Sequence, residues 1–380
     1  KRHKIEKNVH DYPDVITSCS VLTKLQYLWM ARFHVLGAGS VGQLIAHALR
    51  QHAFPVTLLA RREALVQEFR ASGSLLTCQY GPGQFLIEKA DMELVQGSGT
   101  EIRNLVVSTK GNDVVDAVRS VRERLLADCS IILIQNGMLA VYQELWNEVL
   151  SGWDASSRPR VIVGSLTHGA YLASSFHLFH SSRGKGTCTF AEVDASLPCL
   201  SNLHHQQKWT EPRSLALQAL LSLHSLSPEH PHTHRDLLRQ LQLKMAVNCA
   251  INPLTATLGC LNGQLLEDPN TRDAMRAVCN ELHEILQPNI YTTAQEMFQT
   301  VCKGPYQAIS CLALHWPSRN SHTSHFPSHL RLCPIISATK INGMDQQVGH
   351  FVFNVFNTLH LKVGLMSIGS LVHNAFHHAH

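Results

Sequence analysis

The feature that most restricts the fold is a trio of glycines, Gly37, Gly39 and Gly42, set between an apolar stretch and an amphipathic one. Phe33 to Leu36 reads as a short buried strand, and Gln43 to Gln51 as a helix turning Leu44, Ile45, Ala48 and Leu49 inward. Phe54 to Leu59 returns as a second strand after only a few residues. Strand, glycine turn, helix and strand in that order make a βαβ unit. Within it each glycine has a steric duty. The first permits the tight turn, the second lets the backbone approach a pyrophosphate, and the third packs helix against strand. The helix start adds unpaired amides that suit phosphate oxygens. The chain is therefore expected to bind a dinucleotide here.

The end of the second strand selects the cofactor. An acid there would hold the ribose hydroxyls of NAD, but the chain has Arg61 and Arg62, which suit the 2′-phosphate of NADP. Two surface arginines without a ligand would look the same. Further strands are expected at 104–108 and 130–134, with a helix over 114–126 between them, and another strand in 161–172 running into a turn at 167–170. In an open α/β sheet ligands gather outside the carboxyl ends of strands, which directs Lys110 and Asn136 toward the cofactor. A shift to polar composition over 181–210 marks the approach to a domain boundary. Beyond it the pattern turns helical over 214–226, 236–250 and 268–286, with no strand pattern before about residue 330. The expected fold class is α/β. An extension of uncertain structure (1–29) precedes a Rossmann-type dinucleotide-binding domain (30–208), and an all-α C-terminal domain (209–380) follows.

The helix over 236–250 carries the chemistry. Lys244 and Asn248 stand one turn apart on one face, and Asn252 follows a turn later, against an otherwise apolar background. A partly desolvated ammonium beside carboxamides can orient a small polar molecule and give it a proton. Alternatively Lys244 reaches out to solvent and the asparagines serve the backbone. Pro253 is expected to put Asn252 at the helix end or at a kink.

Composition narrows the partners. A net charge of +4 with only 16% charged residues is too mild for nucleic acid or a membrane surface, and no apolar run is long enough to span a bilayer. Eleven cysteines without a CxxC pair read as reduced thiols in an intracellular protein. A cytoplasmic setting is expected, with a mitochondrial one open because the basic N-terminal stretch resembles a weak presequence; Met30 would itself make a natural start. His230, His232 and His234 alternate in a polar loop without a completing cysteine or acid, so no metal site is expected.

Together GAGSVG (37–42), STK (108–110), QNGM (135–138), THGA (167–170) and KMAVNCAINPLTA through LNG (244–263) resemble the ketopantoate reductase family, closest to its fungal-type members, over about 31–290. The resemblance implies NADPH-dependent reduction of 2-dehydropantoate to pantoate on the way to coenzyme A. It assigns Lys244 as proton donor, and Asn248, Asn252 and Asn262 as substrate contacts. Gly37, Ala38, Gly39, Ser40, Val41, Gly42, Lys110, Asn136 and Ala170 become cofactor contacts. A small keto acid is the implied partner and a homodimer is plausible. The C-terminal stretch departs from the family pattern: RNSHTSHF (319–326) is a ragged echo of Asn-x-Ser-Ser-Met, ATKING (338–343) keeps only Ile-Asn-Gly, and no glutamate follows Glu296. Reduction of another small 2-keto acid, or NADP binding without catalysis, are the alternatives.

Overall fold

The computed structural model describes residues 32–97, 99–194, 196–200, 209, 214–258, 260, 262–286 and 293–303. The expected extension over 1–29, a start at Met30, the motif echoes at 319–326 and 338–343, and the C-terminal stretch in general lie outside the described residues.

In chain order the elements are β1 (Phe33–Leu36), α1 (Ser40–Gln51), β2 (Val56–Ala60), α2 (Glu63–Ala71), β3 (Leu75–Gly81), β4 (Gln84–Lys89), β5 (Asp91–Leu94) and β6 (Ile102–Val107). Then come α3 (Val114–Ser120), β7 (Leu125–Leu133), α4 (Met138–Glu148), β8 (Arg160–Leu166), β9 (Ala170–Ser174), β10 (His177–His180) and β11 (Cys188–Val193). The remainder is α5 (Leu215–Leu221), β12 (Pro228–Glu229), α6 (His234–Leu258), α7 (Pro269–Leu286) and α8 (Ala294–Lys303).

The main sheet runs β12-β11-β8-β7-β6-β1-β2-β5. All its pairings are parallel except β8 with β11. From β5 to β8 this is the 3-2-1-4-5-6 order of a Rossmann sheet, and the order reverses between β1 and β6. Two apolar layers cover it. One joins α1 and α5 to a second, four-stranded sheet, β4-β3-β10-β9. The other joins α3, α4 and Leu237, Leu238 and Leu241 of α6. A third core holds α6, α7 and α8 together through Ala250, Met275, Cys279 and Val301. The described chain is therefore an α/β half and a helical half, with α6 packed into both.

Several elements differ from their sequence patterns. The helix expected to run to 126 stops at Ser120, and a 3-10 turn at Arg122–Arg124 leads into β7, which starts at Leu125 rather than Ser130. Leu125 fits either period, and pairing with Ile102 decides for strand. Within 181–210, read only as a boundary, β11 lies antiparallel to β8 through six paired residues. The two-residue β12 interrupts the stretch read as free of strands, pairing with the start of β11. Most consequentially, α6 does not end at Asn252 but continues through Pro253 to Leu258. A proline removes one amide bond inside a helix, and Thr255 adds side-chain bonds from its hydroxyl to the carbonyls of Ile251 (3.0 Å) and Asn252 (3.1 Å) in that turn. Its start is secured by a reciprocal cap: the Thr233 amide and hydroxyl donate to Asp236 at 2.9 and 2.8 Å, and the Asp236 amide donates to the Thr233 hydroxyl at 3.2 Å.

Candidate active site

The glycine turn sits where the strand order reverses. Gly37 has φ +110, a left-handed conformation, and a Cβ there would stand 2.8 Å from the Ser108 hydroxyl. At Gly42 an added Cβ would lie 1.9 Å from the Gly37 carbonyl oxygen, so α1 crosses the turn at a distance open to glycine alone. Gly39 is the opposite case: nothing lies within 4 Å of its hypothetical Cβ. It is the N-cap of α1 and provides no side-chain cap, and no acid occupies the first turn. This combination of tight glycines, one glycine facing open space and an uncapped helix start fits a pyrophosphate.

Ala38, Ser40 and Val41 complete the turn. The Gln43 side chain donates to the Ala38 carbonyl at 2.8 Å and to the Ser175 carbonyl at 2.6 Å, tying the turn to the connection between β9 and β10. The Ser108 hydroxyl lies 2.8 Å from the Gly37 carbonyl and 3.2 Å from that of Leu36. Sequence reasoning missed the roles of both Gln43 and Ser108. The available signals were a buried polar residue directly after the third glycine and a serine directly after the strand next to β1.

The remaining cofactor-side residues follow neighbouring strands. Arg61 and Arg62 are exposed just after β2, Lys110 is exposed after β6, and Asn136 is exposed after β7. The Lys110 and Asn136 loops meet, since a Cβ on Gly111 would lie 3.8 Å from the Asn136 carbonyl. Gly137 turns that chain in a left-handed conformation with φ +69, and the Gln135 side chain donates to the Val107 carbonyl at 2.6 Å. Ala170 opens β9 and packs partly against the core beneath α1. The loop before it is locked: His168 contacts His180 at 2.9 Å and the Leu226 carbonyl at 2.9 Å, and Thr167 bonds across to Thr187.

On the helical side Lys244 is half-buried on α6. Burial pulls its ammonium down to about 8, opposed only by the nearby Cys188 thiol. Among the described residues no carboxylate is paired with it. Asn248, half-buried, and Asn252, exposed, do share a face: the Asn252 side-chain Nδ2 donates to the side-chain Oδ1 of Asn248 at 3.4 Å. Asn262 stands in a 3-10 turn, Asn262–Leu266, that packs against α6 and α7 through Leu265. Of the alternating histidines, His230 and His234 lie against the Trp209 ring, with centroids 5.7 and 4.0 Å away. Among the described residues no helix is long and apolar enough to cross a membrane.

Comparison with known proteins agrees with this architecture. The family model Ketopantoate reductase PanE/ApbA matches residues 33–195 and its C-terminal counterpart matches 236–310, together more than half of the chain. A Schizosaccharomyces pombe protein named probable 2-dehydropantoate 2-reductase is 27% identical over 263 residues, which is 66% of this chain and 71% of that one. A ketoisovalerate reductase of Beauveria bassiana is 26% identical over 66% of this chain and 57% of its own length. The crystal structure of a probable 2-dehydropantoate 2-reductase from Bacillus subtilis shares the fold, with a TM-score of 0.53 at 23% identity over 74% of this chain and 83% of that one. With a Rossmann half carrying the glycine turn, a helical half carrying the lysine face, and both halves matched by the family's two models, the chain belongs to the ketopantoate reductase family.

Proposed function

We propose that this protein uses NADPH to reduce the ketone of a small 2-keto acid, 2-dehydropantoate, to the 2-hydroxy acid pantoate, with Lys244 as proton donor. The observation that carries the reading is the Lys244 ammonium, half-buried, unpaired with any described carboxylate, and one turn from Asn248. NADPH, when bound, supplies the hydride. The turn from Gly37 to Gly42 and the first amides of α1 would hold its pyrophosphate, Arg61 its 2′-phosphate, and Lys110, Asn136 and Ala170 would line the remainder of its path. As the carbonyl carbon is reduced, negative charge builds on the oxygen. A fixed ammonium stabilises that charge and then gives up its proton, and burial is what makes this proton available near neutrality. Asn248, Asn252 and Asn262 would orient the keto acid.

Reduction is tested by following NADPH oxidation on adding 2-dehydropantoate. In the Lys244→Ala variant turnover should fall by roughly 10²- to 10⁴-fold while NADPH binding is preserved; unchanged turnover would sink the assignment. The donor must be protonated, so reduction should proceed below pH 8 and decline as pH rises through the ammonium's value of about 8.

A second reading, reduction of a keto acid other than 2-dehydropantoate, is favoured by the ketoisovalerate reductase relative and by the lack of a glutamate after Glu296. A panel that includes 2-oxoisovalerate separates the two. Nucleotide binding without turnover on any keto acid would point instead to a non-catalytic NADP-binding protein. The described cysteines are all free thiols, which favours a reducing compartment such as the cytoplasm. A homodimer is part of the same proposal.

A further inference from the structure

Gln43 directly follows the third glycine, and only 1% of its surface is exposed. It stands at the end of the first turn of α1, where helical side chains lean back toward the N-terminus, in this case over the glycine turn. Its Nε2 donates to the Ala38 carbonyl at 2.8 Å and to the Ser175 carbonyl at 2.6 Å. Both of these partners can only accept, so it is the nitrogen of the carboxamide that must face them. Its Oε1 is buried with no partner among the described residues. The side chain is thus held in place as a double donor. Its backbone acts on the same turn, since the Gln43 amide donates to the Gly39 carbonyl at 2.9 Å. One residue therefore grips two consecutive carbonyls, and the Ser108 hydroxyl grips the one before them, that of Gly37, at 2.8 Å.

A trans peptide unit is planar, so its N–H points opposite to its C=O. Holding the Ala38 carbonyl against Gln43 turns the Gly39 amide away from Gln43, and holding the Gly39 carbonyl does the same for the Ser40 amide. Neither amide donates to a protein group among the described residues, and a Cβ on Gly39 would meet no atom within 4 Å. We propose that Gln43 is a positioning residue for the cofactor: it fixes the Ala38–Gly39 peptide plane so that the Gly39 amide already faces the place of the pyrophosphate when NADPH arrives. Without the clamp this plane could rotate, because glycine permits backbone conformations on both sides of φ zero. A rotated plane would present the Ala38 oxygen to the phosphates and repel them. The bond to Ser175 anchors the donor from outside the turn, on the connection between β9 and β10, so Gln43 cannot follow the peptide if it swings. Donors fixed in advance spare the ordering that binding would otherwise require. The inference rests on NADPH binding at this turn and holds whichever keto acid is reduced.

The test reads binding and the amide itself, without turnover. The full chain is labelled with ¹⁵N-glycine, and the Gly39 signal is identified by its absence in Gly39→Ala. In the wild type this signal should shift on addition of NADP; a Gly39 amide that does not respond while NADP binds would overturn the proposal whether or not any variant folds. Gln43→Met keeps the length of the side chain but removes its donor. Its dissociation constant for NADPH, taken by fluorescence well below its Tm so that only folded chain is counted, should rise roughly tenfold or more, and the Gly39 response should shrink. A residue that merely packs the turn would lower Tm and leave both readouts as in the wild type, and that result would also overturn the proposal. Gln43→Glu supplies the rescue. Ionised, it would set a carboxylate against two carbonyl oxygens; protonated, which burial favours, it regains one donor. Its deficit relative to wild type at the same pH should therefore be smaller at about pH 6 than at about pH 8.5, and a deficit indifferent to pH would count against the donor role. NADPH binding that follows this pattern without reduction of any keto acid would uphold the Gln43 clamp and remove the proposed reaction, so the two readings fail separately.

Discussion

The glycine turn and the lysine face of α6 are the two candidate functional regions, and they are built on opposite principles. In the turn the backbone is the functional group. Gly37 and Gly42 are required because a single carbon would collide with Ser108 or with the Gly37 carbonyl, whereas at Gly39 no protein atom stands in the way and the space beside the backbone stays open. On α6 the backbone is an ordinary helix, and function depends on what one side chain meets in space. The same lysine on the same helix would be an ordinary surface charge if its surroundings did not exclude water from it. A site made of backbone tolerates little change of residue type. A site made of one side chain tolerates change around it but depends on its partner element.

The sharpest way to break this comparison is at Gly42. Gly42→Ala forces a carbon against a backbone oxygen at 1.9 Å and should lower Tm by roughly 10 °C and abolish NADPH binding in a fluorescence titration. Gly39→Ala meets no protein atom, so Tm should stay within about 1 °C while NADPH affinity still drops. Wild-type behaviour of Gly42→Ala would mean that the turn is less constrained than its geometry requires.

Acid should separate the halves next. Burial pulls His34 and His47 down to about 4 and His180 to about 3, and all three belong to the α/β half. Unfolding lets them titrate near the ordinary 6.5, so the unfolded chain binds more protons between 6.5 and about 4. Stability is thus fully present above pH 6.5 and lost as pH falls through that window. The loss should reach several kcal/mol, because each tenfold difference in proton affinity between the folded and unfolded chain is worth about 1.4 kcal/mol. Hydrogen exchange at pH 5 should show β1, α1 and β10 losing protection. Equal loss in α7 would contradict the assignment of acid sensitivity to these histidines.

Smaller effects sharpen the picture. Arg61→Ala should weaken NADPH by roughly tenfold or more and leave NADH almost unaffected, because a charged hydrogen bond to the 2′-phosphate contributes about 1.5 to 3 kcal/mol. Equal weakening of both nucleotides would remove Arg61 from 2′-phosphate recognition. Ser108→Ala removes the hydroxyl and with it the contacts to the Gly37 and Leu36 carbonyls, and should cost about 1 kcal/mol, seen as a drop of a few degrees in Tm.

Much of the α/β half was legible residue by residue. Alternation of strand, turn and helix around Gly37 to Gly42 is enforced locally, so β1, α1 and β2 fall close to where periodicity puts them. Periodicity failed where two local solutions were nearly equal. Leu125 could extend a helix or begin a strand, and only its pairing with Ile102 decides. The second sheet went unread because it joins two antiparallel pairs of neighbouring strands, β3 with β4 and β9 with β10, through a parallel pairing of β3 with β10 about a hundred residues apart. On α6 the local rule for residues before proline was overridden, since a helix packed into two cores can hold its dihedrals through Pro253.

By itself, then, the chain determined where a pyrophosphate can lie, which cofactor its arginines suit, and which side chains share a face of α6, because these depend on sterics and spacing within a few consecutive residues. Only tertiary structure decided that the Lys244 ammonium is partly buried and that Gln43 and Ser108 lock the turn. Those properties belong to pairs of elements that sequence keeps far apart, and the acidity of a side chain depends on how much water its neighbours exclude.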